Sequence, residues 1–318
     1  MTFPARTLRR LAIAVAVGTT AVLSGCGNDS GSGSGGSLTL GFVNGDTSEF
    51  ATCLQKAVEQ EAKAQGVTLH TANSQMDAGR ELSNVEDMIS RGVDALVVQT
   101  VNVDALEGGI AKAKAADVPI YLTSVATSDV SGILGAAVVD LKKLGALDAG
   151  WIAEDAGGKQ VHVGVIAGSP GAASDLMVSG FTEALPDNAK VVANQPGMFN
   201  PAKAQDVAEN MIQAHPDLDY AFVANEEMAF AVRKTFDAAG AKDVKIVTEN
   251  GTDKGLAAVK DGRFSATVAN SPKVICETAV TNTVARLDDK TKVDKITRIP
   301  LTLITKDNLD QAPQYCPE

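Results

Sequence analysis

Residues 38–71 read LTLGFVNGDTSEFATCLQKAVEQEAKAQGVTLHT. Leu38–Val43 is a short apolar run that breaks at Asn44-Gly45-Asp46. Leu54, Ala57, Val58 and Ala62 then recur at helical spacing within Phe50–Gln65, and Gly66 stops that helix. Val67–Thr71 is extended again. A strand, a helix of more than ten residues and a second strand make a βαβ unit, the building block of a parallel sheet with right-handed crossovers.

The same rhythm continues outward. Glu81–Arg91 is amphipathic through Leu82, Val85, Met88 and Ile89, Asp94–Gln99 is a strand, Asp104–Ala116 a helix and Val118–Leu122 a strand. A second set follows. Helices are predicted over Leu141–Glu154, Ala172–Ala184, Ala202–Ala214, Glu227–Ala239, Lys254–Lys260 and Lys273–Leu287. Strands are predicted over Val161–Ile166, Lys190–Asn194, Tyr220–Val223, Val244–Val247, Phe264–Val268 and Ile299–Ile304. The class is α/β, with two doubly wound parallel-sheet lobes, and 318 residues suffice for two domains.

Composition narrows the function. Hydrophobic residues make up 45% and charged residues 21%, which suits a globular chain. A net charge of −11 argues against nucleic acid, whose binding needs a basic face. Arg6, Arg9 and Arg10 precede the apolar stretch Leu11–Val17, which is too short to span a bilayer and reads as an export signal. Leu23-Ser24-Gly25-Cys26 resembles a bacterial lipobox, which implies removal of residues 1–25 and lipidation of Cys26. Gly27–Ser37, nearly all Gly, Ser, Asn and Asp, completes a flexible tether over 26–37. This order places the globule outside the cytoplasmic membrane, lipid-anchored at its outer face. Cys53, Cys276 and Cys316 then leave one disulfide and one thiol, with three pairings open. No CxxC or Cys/His cluster suggests a metal.

Ligands of open α/β sheets bind at the carboxyl ends of the strands. Those ends carry Asn44 and Asp46, Ser74 and Gln75, Thr123 and Ser124, then Ser169, Asn225, Glu249, Asn250 and Asn270. Such amides, hydroxyls and carboxylates suit a small polar ligand. Catalytic groups are not apparent. His70, His162 and His215 join no Ser or Cys motif, and Gly164–Gly171 lacks the Walker lysine. Glu86-Asp87 and Asp288-Asp289 read as solvated helix faces. No cofactor is expected, and the chain reads as a binder rather than an enzyme.

Several segments in order carry a family resemblance: Ser74-Gln75, Glu81–Met88, Arg91–Leu96, Gly180-Phe181, Ala214-His215-Pro216-Asp217, Asn225–Ala229, and Asp261-Gly262-Arg263 before Ala266–Ala269. From about Leu38 to Leu309 the chain resembles a type I periplasmic binding protein of the ribose/galactose class, the substrate-binding subunit of sugar ABC transporters. The resemblance implies a monomer of two lobes, 38–124 with 271–302 and 125–270 with 303–318, joined by a three-segment hinge. It places the crossings near Ser124–Thr127, Ala269–Pro272 and Leu303–Asp307. It implies a small sugar-like or polyol ligand between the lobes and a membrane permease as partner. A sensing receptor and an exported enzyme are the alternatives.

Residue by residue, the resemblance puts Asn44, Asn225 and Asn270 on the ligand as amides, and Phe50 and Phe199 as aromatic faces. Asn250 stands where an aspartate is usual, Glu249 where an aromatic is common, and Ser124-Val125 where Asp-Arg is common. Asp175–Val178 lacks the usual second arginine. Without the bidentate clamp for vicinal hydroxyls, and with Glu249 and Asp46 or Glu226 nearby, an acidic pocket is expected. It would suit a polyol, a modified sugar or an amine-bearing ligand.

Overall fold

The computed structural model describes residues 37–288 and 293–318. The expected export signal, Cys26, the tether up to Gly36, and Asp289 lie outside the described residues. In chain order the elements are β1 (Thr39–Asn44), α1 (Glu49–Ala64), β2 (Thr68–Asn73), α2 (Ala78–Ser90), β3 (Ala95–Val98), α3 (Glu107–Ala115), β4 (Ile120–Ser124) and β5 (Gly135–Val139). They continue as α4 (Leu141–Ala156), β6 (Val161–Ala167), α5 (Ala172–Ala184), β7 (Ala189–Pro196), α6 (Pro201–Ala214), β8 (Tyr220–Val223) and α7 (Glu226–Ala238). The last are β9 (Lys245–Asn250), α8 (Asp253–Asp261), β10 (Ala266–Ala269), α9 (Pro272–Leu287), β11 (Ile296–Ile299) and β12 (Thr302–Ile304).

Short polar side chains at the strand ends start the helices. Ser48 caps α1 by accepting from the Ala51 N–H, and Asp77, Asp140, Asn200, Asn225, Thr252 and Ser271 do the same for α2, α4, α6, α7, α8 and α9. Each such cap stabilises its helix by about 1 kcal/mol. Helix α1 then turns Leu54, Ala57, Val58 and Ala62 into the core. Strands β3, β4, β5, β8 and β10 are buried throughout, which is why they read as unbroken apolar runs rather than alternating ones.

The strands form two sheets of the same topology, β11-β5-β4-β3-β1-β2 and β12-β10-β9-β8-β6-β7. Pairing is parallel apart from β10 with β12. Strand order reverses beside β1 in one lobe and beside β6 in the other, so each lobe has a switch point where a crevice opens at the carboxyl ends.

Two expected crossings move. Strand β5 pairs with β4 and β11, so 125–139 belongs to the first lobe and the chain crosses at Asp140 rather than near Ser124–Thr127. The run Gly135–Val139 is short and fully buried, and although the polar stretch 127–132 precedes it, an apolar run of this length does not by itself tell a strand from another buried segment. The third crossing is at 300–301, because Thr302–Ile304 already pairs with β10. The second runs through Asn270 and Ser271 between β10 and α9, which packs on α1. The tail does not stay with the second lobe. Cys316 is bonded to Cys53 on α1, and among the described residues buried Cys276 is the free thiol.

Candidate functional site

Apart from Phe50, each predicted residue sits at the end of a strand or in the loop beyond it. Asn44 closes β1, buried, with Nδ2 donating to the Ala51 carbonyl at 2.8 Å. Its Oδ1 is buried and has no partner among the described residues. Ser124 ends β4 at φ 65°, in the left-handed region, and Oγ donates to Gln99 Oε1 at 3.1 Å. Thr123 donates to the same oxygen at 2.7 Å. Gln99 was not singled out from sequence, although it follows β3 at the same level. Phe50 lies in the first turn of α1, half-buried against the core.

In the second lobe the set is continuous. Asn225 lies two residues past β8 and its Oδ1 accepts from the Met228 N–H at 2.9 Å, so this carbonyl is committed to capping α7. Asn250 ends β9. Its Oδ1 accepts from the Glu226 N–H at 3.2 Å, and its Nδ2 donates to Glu249 Oε2 at 3.0 Å. Asn270 Nδ2 donates to that same oxygen at 3.4 Å, while Asn270 Oδ1 is buried without a partner among the described residues. Glu249 Oε1 accepts no hydrogen bond there. Burial drives the Glu249 carboxyl up to about 8, the Glu226 charge adds to the rise, and the two amides oppose it.

The Glu226 carboxylate is held by donors of its own lobe, so it adds charge beside Glu249 without offering a free oxygen. Its oxygens accept from the Gly251 N–H at 3.0 Å, the Thr252 N–H at 3.0 Å, Thr252 Oγ1 at 2.5 Å and Thr267 Oγ1 at 2.7 Å. The carboxylate therefore clamps the β9–α8 loop to β10. Gly255 makes room for it, since a Cβ there would lie 2.0 Å from the carboxylate carbon. Burial raises the Glu226 carboxyl and these four donors pull it back.

At the mouth, a cavity of about 480 Å³ is lined by Asp46, Ser48, Gln75 and Met76 from the first lobe and by Met198, Phe199, Asn200 and Glu227 from the second. Of the predicted residues, Phe199 reaches this wall, together with Asp46 and Gln75 from the strand ends of the first lobe. Gln75, Met76, Met198 and Phe199 all have positive φ between 50° and 62°, so both facing loops hold strained backbone. Gly168 lies under the Phe199 ring, where a Cβ would come within 2.1 Å of it. Across the rim, the Glu49 N–H donates to Glu227 Oε2 at 3.3 Å, and Lys254 Nζ lies 3.8 Å from Glu49 Oε1. The lobes thus meet at a polar edge.

Three residues at the site escaped sequence reading. Asp148 on α4 is fully buried, with neither oxygen partnered among the described residues. Burial, then the Glu249 charge, holds its carboxyl well above the usual range. Glu227 is raised by burial, with the Glu49 and Asp46 charges adding to it. Tyr315, buried near the crossing, has its backbone carbonyl bound by the Lys273 N–H at 3.2 Å, while the Gln314 carbonyl accepts from Ser271 Oγ at 2.6 Å. Asp148 could have been noticed as a charge on the apolar stripe of α4. Nothing in a linear reading brings Tyr315 here.

Residues 40–291 match the periplasmic binding protein domain. The chain is 33% identical over 279 residues to the ribose import binding protein RbsB of Bacillus subtilis, covering 87% of this chain and 90% of that protein. It is 27% identical to the xylitol-binding protein of Mycolicibacterium smegmatis, covering 96% of this chain and 87% of that one. Among solved structures it is similar to the arabinose ABC transporter binding component of Shewanella sp. ANA-3 bound to L-arabinofuranose, with a TM-score of 0.80 and 27% identity. That match covers 86% of this chain and 93% of the other.

Proposed function

This chain belongs to the periplasmic binding protein family, and we propose that it captures a small sugar or sugar-like polyol between its lobes and hands it to an ABC transporter permease. The observation that carries the ligand class is a pair of buried amide oxygens without partners, Asn44 Oδ1 in the first lobe and Asn270 Oδ1 at the crossing from the second. An unsatisfied buried acceptor costs about 1–3 kcal/mol. A ligand rich in hydroxyl donors removes that penalty at both sites and holds the lobes together as it does so. Phe50 and Phe199 offer apolar faces to the C–H side of such a ligand.

Closure then follows from differential affinity: the ligand contacts both lobes only when the cleft is shut, so binding shifts the population toward the shut form. A permease that docks on both lobes would read that change. No step makes or breaks a bond; the ligand leaves unaltered. The export signal, the lipid on Cys26 and the tether would keep the globule outside the cytoplasmic membrane as a monomer within reach of its permease.

The test is a thermal-shift screen over pentoses, hexoses, furanoses and alditols. A saturating ligand raises apparent stability by RT ln(1 + [L]/Kd). A hit should also reduce the radius of gyration in solution scattering. No shift with any member, or turnover of a bound one, would overturn the proposal.

A further inference from the structure

We propose that the ligand carries an ammonium group and that the Glu249 carboxylate, with Asn270 Oδ1 beside it, receives it. This rests on the solute-capture reading of the same cleft and narrows its ligand. Asn270 Nδ2 lies 3.4 Å from Glu249 Oε2, so the amide that carries the open Oδ1 is a direct neighbour of this carboxylate. Both Asn270 Oδ1 and Glu249 Oε1 lack donors among the described residues. A neutral hydroxyl brings one proton. An ammonium brings several N–H donors and a charge, and so fits two acceptors of which one is anionic.

The surroundings of Glu249 are acidic from every side that carries a titratable group. Asp148 on α4 is sealed and unpartnered, Glu226 on α7 contributes a second charge, and Tyr315 from the tail lies within the field of both Glu249 and Glu226. The remaining contacts are the amides of Asn250 and Asn270. None of these groups forms an ion pair among the described residues. The mouth repeats the pattern independently: Asp46 and Glu227 line the cavity and no lysine, arginine or histidine does. A cation entering this cleft meets carboxylates at its rim and at its floor.

Binding has a proton balance. Without ligand, burial and neighbouring charge keep Glu249 protonated up to about pH 8. The ammonium keeps its own protons, donates N–H bonds to Glu249 and Asn270, and offsets the charge that Glu249 gains by releasing its proton to solvent. Below about pH 8 each binding event therefore releases up to one proton.

The experiment compares D-glucosamine, D-galactosamine and D-glucamine with D-glucose, D-galactose and D-sorbitol by calorimetry, in two buffers of different ionisation enthalpy. The amino compounds are expected to bind about tenfold more tightly than their neutral counterparts, as a charge-assisted bond replaces a neutral one. Their apparent enthalpies should differ between buffers by the proton released. Glu249→Gln should remove the preference for the amino compounds and abolish the proton release. Equal or tighter binding of the neutral compounds by the natural chain overturns the ammonium assignment and leaves solute capture standing. Binding of none of the six, with no hit in the wider neutral screen, overturns both.

Discussion

Cys316 is covalently joined to Cys53, so the last residues of a chain that leaves the second sheet at Ile304 end on the first helix of the first lobe. The bond closes a loop of 263 residues and carries Tyr315 into place beside the hinge crossing. It is therefore a fourth tie between the lobes in addition to the three backbone crossings.

Replacing both cysteines, Cys53→Ser with Cys316→Ser, should lower stability by about 2–4 kcal/mol, the usual range for a native disulfide. Thermal denaturation with and without reductant measures it, and the double variant should no longer respond to reductant. The buried Cys276 thiol should react with a thiol reagent only on unfolding. A native-state reaction at Cys276, or an unchanged melting temperature, would contradict this reading.

Phe199→Ala should weaken ligand binding by about 1–3 kcal/mol through lost apolar burial, with the far-ultraviolet spectrum unchanged. Gly168→Ala should act in the same direction, because the added methyl collides with the Phe199 ring and displaces it from the cavity wall. Calorimetry on both variants checks the pair. Unchanged affinity in Phe199→Ala would remove that ring from the ligand.

Glu226→Ala should destabilise the second lobe by about 3 kcal/mol, since it leaves two backbone N–H groups and two hydroxyls without their buried acceptor. Urea unfolding measures it.

Stability without ligand should fall as pH rises between about 4.5 and about 8. In that window the folded chain keeps the Glu249 proton while the unfolded chain has lost it, so the native state binds more protons and the slope is negative. The contribution is fully present below the unfolded value and is lost as pH passes the folded one. Glu249 supplies at most about 1.4 kcal/mol per pH unit, and Asp148, also raised by burial, adds with the same sign. Glu249→Gln should flatten the profile of urea midpoints across this range. An unaltered slope would show that Glu249 does not titrate in it.

Alternating strands and helices were legible because local apolar spacing decides them. Residues 38–71 already contain one complete βαβ unit, and α1 starts within one residue of where its periodicity puts it. The polar strand ends were legible too, since Asn44, Asn225, Asn250 and Asn270 follow apolar runs. Their partners were not. Whether Glu226 meets a ligand or four donors of its own lobe depends on Gly251, Thr252 and Thr267, up to 41 residues away. Strand β5 was missed although it is an apolar run like β3 and β8, because its pairing with β4 and β11, not its local pattern, places it in the first sheet.

Periodicity along the chain, then, was enough to establish the α/β class, the two sheets and the rank of polar groups at their carboxyl ends, because each depends on residues a few positions apart. The pairing of Cys53 with Cys316, the sealing of Asp148 behind Glu249, and the split between amides spent on capping and oxygens left open all arose from packing. These depend on which distant segments share a dielectric and a volume, and folding alone brings such segments together.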